Sequence, residues 1–175
     1  KDMIKANFVT AREAAAMVKD GDTVCTVGMT LVSASESILK ALEKDFIETG
    51  HPCGMTLLHS CGQSDRKDGI QHFAHEGMIK RIIGSHWGLQ PRWMEMIAGN
   101  QVEAYCLPQG QIAQLYHSMA CGLPGKMSKV GLGTFIDPRY EGGKMNDRTK
   151  PLEDIIDIME YRGEEYMFYR EIPID

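Results

Sequence analysis

The sequence predicts an α/β fold: a mainly parallel sheet with helices on both faces, in a single domain spanning residues 1–175. Strand-like and helix-like segments alternate along the chain, and strands separated by helices of this length imply parallel βαβ units. The helical segments carry start and stop signals at the expected places. Three loops rich in small residues, 27–35, 107–110 and 131–138, fall at predicted strand ends or within the last glycine-bearing strand. In open α/β sheets ligands meet the loops at the carboxyl ends of the strands.

Taken in order, "TAREAAAMVKDGD" places Thr10 and Glu13 in a capping-box relation and ends at Gly21. "TVCTV" reads as a short buried strand running into Gly28. In "SASESILKALEKDFIETG", Ser33 and Glu36 suggest a second capping box. Ile38, Leu39, Leu42 and Phe46 recur at helical spacing, and Gly50 is the stop. "MTLLHSC" is a strand, "GQSDRKDG" a polar loop, and "IKRIIGSH" another strand. "QPRWMEMIAGN" is a helix with Pro91 in its first turn. "VEAYCL" is a strand and "GQIAQLYHSMA" a helix. "KVGLGTFID" reads as a strand broken by glycines, "PLEDIIDIMEY" as a helix with an acidic solvated face, and "EEYMFYREIPI" as a closing strand. The run "DPRYEGGKMND" is expected as an exposed loop.

With 175 residues, 43% hydrophobic and 25% charged, the chain has a globular composition able to bury a core. A formal net charge of -5 argues against nucleic acid as a partner. No apolar run approaches a membrane span, and "KDMIKANFVT" lacks the apolar core of a secretory leader. Five irregularly spaced cysteines fit free thiols in a reducing cytoplasm, and twelve methionines fit soft core filling.

Several short motifs fall away on their own chemistry. Gly131-Leu132-Gly133 begins a dinucleotide fingerprint, but Ile136 occupies the third glycine position. "GLPGKMS" has the Gly-Lys of a phosphate loop, with Met127 in place of the hydroxyl residue and Ala120 in place of the first glycine. The pairs His51/Cys53, His59/Cys61 and His72/His75 lack the spacing of a four-ligand zinc site, so no metal is expected. With five cysteines and six histidines, sequence does not single out a Cys-His nucleophile. "HWGLQPRW" reads as core tryptophans with a snorkelling Arg92, and Glu36 as a capping residue. The remaining question is why an amide, Gln109, sits between Pro108 and Gly110 at a predicted strand end.

Four segments taken together answer it: "FVTAREAAAMVKDGDTV", "GMTLVSASESILKAL", "CLPQGQIAQL" and "VGLGTFIDPRYEGGKMN". In this order the chain resembles the amino-terminal, α-type half of a family I CoA-transferase, in the propionate and acetate branch. Ser37 stands where the succinyl-CoA:3-ketoacid branch carries Asn.

The resemblance implies an enzyme that moves CoA between a short-chain acyl-CoA and a carboxylic acid through a glutamyl-CoA thioester. CoA is then substrate and covalent intermediate, and no other cofactor is implied. It implies that Gln109 is a catalytic oxyanion donor. It also implies that Gly28, Met29 and Thr30, with Gly131, Leu132, Gly133, Thr134 and Phe135, contact substrate in a short, apolar-walled pocket. The family's nucleophilic Glu lies in the carboxyl-terminal half. The one E-x-G here, Glu48-Thr49-Gly50, is a helix end that does not match it. A partner carboxyl-terminal, β-type half in a homo- or hetero-oligomer is therefore expected. The chain is then a fragment, one half of a nicked polypeptide or a separate α-type polypeptide, with an open sheet edge. A silent binding module, or half of a related hydrolase or lyase, are the rival readings.

Overall fold

The computed structural model describes residues 7–175. The expectation that the amino terminus carries no leader falls largely on residues 1–6, outside the described residues.

Thr10 caps α1 (Ala11–Ala15) in a complete capping box: its hydroxyl accepts from the Glu13 N–H while the Glu13 carboxylate accepts from the Thr10 N–H. This helix is one short turn and ends well before Gly21. The four strands β1 (Thr23–Thr26), β2 (Met55–His59), β3 (Ile79–Gly84) and β4 (Glu103–Cys106) form a wholly parallel sheet in the order β1-β2-β3-β4.

Their apolar residues alternate between two cores because successive side chains of a strand point to opposite faces. Leu57, Ile82 and Ala104 face one core, which α2 (Glu36–Thr49) and α3 (Pro91–Ala98) cover with Leu39, Leu42, Trp93 and Met96. Leu58, Ile83 and Tyr105 face the other, covered by α4 (Gln109–Ala120) through Ile112 and Leu115. Burial on both faces is why these strands read as nearly continuous apolar runs. Both tryptophans are buried and Arg92 is exposed, as expected.

Four local expectations are corrected. First, "PLEDIIDIMEY" is not a helix. Its second half is β6 (Ile156–Tyr161), which pairs antiparallel with β7 (Glu164–Arg170) through a two-residue turn. That turn, Arg162-Gly163, has both φ angles positive, 55° and 77°, the twist that suits a tight hairpin. Second, the glycine segment is not a strand. The strand is β5 (Gly125–Ser128) just before it, in a second sheet ordered β5-β7-β6 that packs Met167 and Tyr169 on the α4 side.

Third, Ser33 and Glu36 form no capping box. Ser35 is the N-cap without a side-chain bond, and the Glu36 carboxylate instead accepts from the Gly69 N–H at 3.0 Å and pairs with His72 Nε2 at 2.7 Å. Fourth, the loop from Asp137 to Asp147 is half buried, with Asp137, Gly142, Gly143 and Asn146 inside.

Candidate active site

Parallel strands direct their carboxyl ends to one side, so the loops after β1, β2, β3 and β4 share that side of the sheet. Leu107 and Pro108 turn the chain from β4 into α4. Pro108, at φ -61° and ψ 129°, is the N-cap, and Gln109 is the first helical residue. The opening helix geometry leaves the Gln109 and Gly110 N–H groups without intrahelical acceptors. Gln109 is exposed, and a Cβ on Gly110 would meet nothing, so the helix start opens onto free space.

The glycine loop reaches the same place because it is fastened to β4. Cys106 N–H donates to Gly143 O at 2.7 Å, Gly143 N–H donates to Phe135 O at 3.0 Å, and Tyr105 and Lys144 form an antiparallel bridge. Gly143 has φ +72°, and a Cβ there would sit 2.6 Å from the Cys106 carbonyl oxygen. Only glycine lets the loop lie this close to the strand.

Asp137 locks the loop from beneath. Its buried carboxylate accepts from the Gly133 N–H, the Arg139 N–H and the Arg139 guanidinium. The Arg139 ion pair and these N–H donors hold Asp137 far below the usual carboxylate range. Tyr169 supports the loop's entry, its hydroxyl donating to Val130 O at 2.6 Å.

The result is an open cavity of about 590 Å³ between the start of α4 and the glycine loop. Gln109 and Pro108 line it from one side, Gly131, Thr134 and Phe135 from another, and Ser85 and His86 from the end of β3. Leu132 and Gly133 do not line it: Leu132 packs against the second core, and Gly133 serves the Asp137 lock. Gly28, Met29 and Thr30 also stand outside it, at the end of β1. They reach toward it indirectly, since Thr30 N–H donates to Gly62 O and a Cβ on Gly62 would collide with the His86 ring.

Ser85, His86, Cys106 and Val130 are the lining residues that sequence reasoning did not single out. The signal was present: "GSH" ends a strand in an α/β chain, where ligand-facing loops begin. Below them His59 is fully buried, its Nδ1 donating to Cys61 O at 2.7 Å and its ring against Trp87. Burial pushes the His59 imidazole down to about 4, so it is a neutral packing group at physiological pH. Gly84 is fixed by that ring, which occupies the space a Cβ would need. Burial pushes the Cys106 thiol up, which disfavours a thiolate nucleophile in the cavity.

The arrangement offers amide donors from a side chain and a helix start, an imidazole, and apolar walls. The cavity carries no carboxylate among its lining residues. It can hold a polarised carbonyl or a small carboxylate, and it does not by itself supply a carboxylate nucleophile.

Comparison with known proteins gives consistent results. The family model described as "Coenzyme A transferase" matches residues 8–173. Caffeate CoA-transferase of Acetobacterium woodii is 39% identical over 171 residues, covering 97% of this chain and 32% of that protein. The crystal structure of the acyl-CoA transferase YdiF apoenzyme from Escherichia coli O157:H7 superposes with a TM-score of 0.89 at 34% identity, over 95% of this chain and 32% of that one. The crystal structure of glutaconate coenzyme A-transferase from Acidaminococcus fermentans shares the fold at a TM-score of 0.69 and 18% identity, over 95% of this chain and 54% of that one. The chain thus spans about a third of the length of the caffeate and YdiF relatives it matches.

Proposed function

Since the chain belongs to the coenzyme A transferase family, we propose that it is the amino-terminal, α-type half of an enzyme exchanging CoA between short-chain acyl-CoA and a carboxylic acid. The observation that carries this reading is the shared cavity of Gln109 and the Gly131–Phe135 loop, assembled from two segments some twenty residues apart.

In the proposed reaction a Glu carboxylate of the partner half attacks the acyl thioester. The C–S bond breaks, leaving a mixed anhydride and the CoA thiolate. The thiolate then attacks the glutamyl carbonyl and expels the first acid, giving glutamyl-CoA. A second carboxylate reverses the sequence. Each step passes through a tetrahedral oxyanion, and a carboxylate is a weak nucleophile, so fixed donors and fixed positions carry much of the catalysis. The Gln109 side-chain amide, at the start of α4, is the donor assigned to that oxyanion, with the partial positive charge of the helix start behind it. Phe135 and Thr134 shape the acyl end, and His86 closes the far wall.

The partner half is assigned to the β1 edge. Thr23 directs its outward N–H and C=O to Asp175, at 2.9 Å and 3.2 Å, and no strand lies beyond β1 among the described residues. Val27, Met29 and Val32 are more than half exposed beside it.

Gln109→Ala in the assembled enzyme is the direct test, read by kcat and KM for CoA transfer. An oxyanion donor acts mainly in the transition state, so kcat is expected to fall about 10²–10³-fold with little change in KM. Near-normal kcat would reduce Gln109 to a turn residue.

A further inference from the structure

At the amino ends of β1 and β2, away from the cavity, Asp20, His51 and Cys53 bring three different donors to one point. Asp20 Oδ2 lies 2.7 Å from His51 Nδ1, Cys53 Sγ lies 4.0 Å from the same nitrogen, and all three donor atoms are within 4.8 Å of one another. Asp20 sits in the turn ahead of β1, and His51 and Cys53 in the loop ahead of β2.

Backbone bonds fix the two loops against each other. Gly21 N–H donates to Cys53 O at 2.9 Å, Cys53 N–H donates to Asp20 Oδ1 at 2.8 Å, and His51 N–H donates to Thr49 Oγ1 at 3.1 Å. The donors therefore need little ordering to meet a ligand.

The geometry discriminates between two chemistries. A carboxylate–imidazole–thiol relay uses both ring nitrogens, one toward the carboxylate and the other toward the nucleophile. Here the carboxylate and the sulfur both face Nδ1. Convergence on one point is instead what a cation requires. Tetrahedral zinc with Zn–N and Zn–O of about 2.0–2.1 Å and Zn–S of about 2.3 Å sets its donors roughly 3.3–3.6 Å apart. Opening the Asp20–His51 pair by about 0.6 Å and closing the others by up to about 1.2 Å reaches that spacing through side-chain rotation. A carboxylate and a thiolate would also balance the ion's two positive charges.

We propose that Asp20, His51 and Cys53 bind a zinc ion, with water as fourth ligand, stapling the turn ahead of β1 to the loop ahead of β2. Binding releases the thiol proton to solvent as the Zn–S bond forms. Sequence spacing did not suggest this site because Asp20 lies thirty-one residues before His51.

Cobalt(II) is the probe, added to the assembled protein. One equivalent is expected to give the visible bands of a tetrahedral ion and a thiolate charge-transfer band, both abolished by one equivalent of zinc. Cys53→Ser removes the charge-transfer band, and His51→Ala weakens zinc at least tenfold in competition with a chromophoric chelator. Cys121→Ser leaves both unchanged, although Cys121 lies 3.9 Å from His117. A second measurement needs no substitution: saturating zinc is expected to protect Cys53, and not Cys121, from alkylation mapped by mass spectrometry. An octahedral cobalt spectrum without charge transfer, a band lost in Cys121→Ser instead of Cys53→Ser, or unprotected Cys53 overturns the proposal.

Discussion

At the β4 edge of the parallel sheet, the chain folds back on itself through the Phe135–Lys144 segment and ties its own loop to the strand by the Cys106–Gly143 bond. At the β1 edge the return is slight: Asp175 bonds the Thr23 N–H and C=O, and no strand lies beyond β1 among the described residues. Grooves of about 430 Å³ and 490 Å³ flank β1 on its two faces, and Val27 lines both. The edge that finishes itself holds the candidate catalytic donors. The edge that does not holds exposed apolar side chains, and an unpaired strand edge invites a further strand. The proposed function asks for both: a rigid donor set, and a surface on which the nucleophile's half can register.

The sharpest way to break the closed edge is Gly143→Val. A β-branched residue at φ +72°, with its Cβ 2.6 Å from the Cys106 carbonyl, must distort the loop or the strand. The expected loss is about 2–4 kcal/mol, combining the strain with a broken loop–strand pairing, and it is measured by denaturant unfolding of the assembled protein. Activity should fall further than stability, because Phe135 and Thr134 move away from Gln109. A variant that unfolds like the parent would show that the loop is not held by this contact.

The open edge should respond in the opposite manner. Val27→Asp changes an exposed side chain, so the chain's own unfolding is expected to shift by less than about 0.5 kcal/mol. Association with the partner half should weaken at least tenfold, about 1.4 kcal/mol, because a carboxylate would be buried between the grooves. Sedimentation or titration of the two halves reads the effect. Unchanged association would move the partner's docking surface elsewhere.

The same two edges differ in how far the sequence disclosed them. Gln109 at the end of β4 was legible because proline, amide and glycine at a strand end combine turn chemistry with an unneeded polar side chain. The parallel sheet was legible too, since strands such as β2 and β3 are apolar on both faces. The loop that completes the cavity was not. Glycines 131 and 133 have φ of 99° and 71°, which no strand tolerates, and apolar neighbours disguised the turns as a strand. The β6–β7 hairpin was misread because Ile155, Ile156 and Ile158 among acidic residues also fit a helical period. The Arg162-Gly163 turn between an isoleucine-bearing run ending in Tyr161 and the aromatic run Tyr166, Phe168, Tyr169 carried the competing signal. Glu36 was misassigned because its partners, Gly69 and His72, are more than thirty residues away.

That misassigned carboxylate gives the smallest of the predicted effects and the one that separates the edges by pH. Behind the groove on the α2 side, His72 is held by Glu36 through Nε2 and by Glu43 through Nδ1, with Asp68, Lys40 and His75 completing the cluster. Burial pushes the His72 imidazole down, but the two carboxylates outweigh it and its pKa lies above the ordinary 6.5. Burial likewise raises Glu36 and Glu43, but His72, Lys40 and the Gly69 N–H together outweigh it at Glu36, and His75 and His72 outweigh it at Glu43, so both lie below the ordinary 4.5.

The signs follow from linkage. The His72 contribution is complete below pH 6.5 and is lost as pH rises through its raised value. The Glu36 and Glu43 contributions are complete above pH 4.5 and are lost as pH falls through their lowered values. This cluster is therefore strongest between about pH 4.5 and 6.5. The Asp137–Arg139 lock on the closed edge has no histidine, and its carboxylate stays ionised further into acid. His72→Gln is expected to cost about 1 kcal/mol at pH 6, in partly exposed ion pairs, and nearly nothing once the parent's His72 has lost its proton. Thermal melting from pH 5 to pH 9 reads the difference. If the parent and His72→Gln curves run parallel across that range, His72 titrates alike in the folded and unfolded chain and the two carboxylates do not raise it.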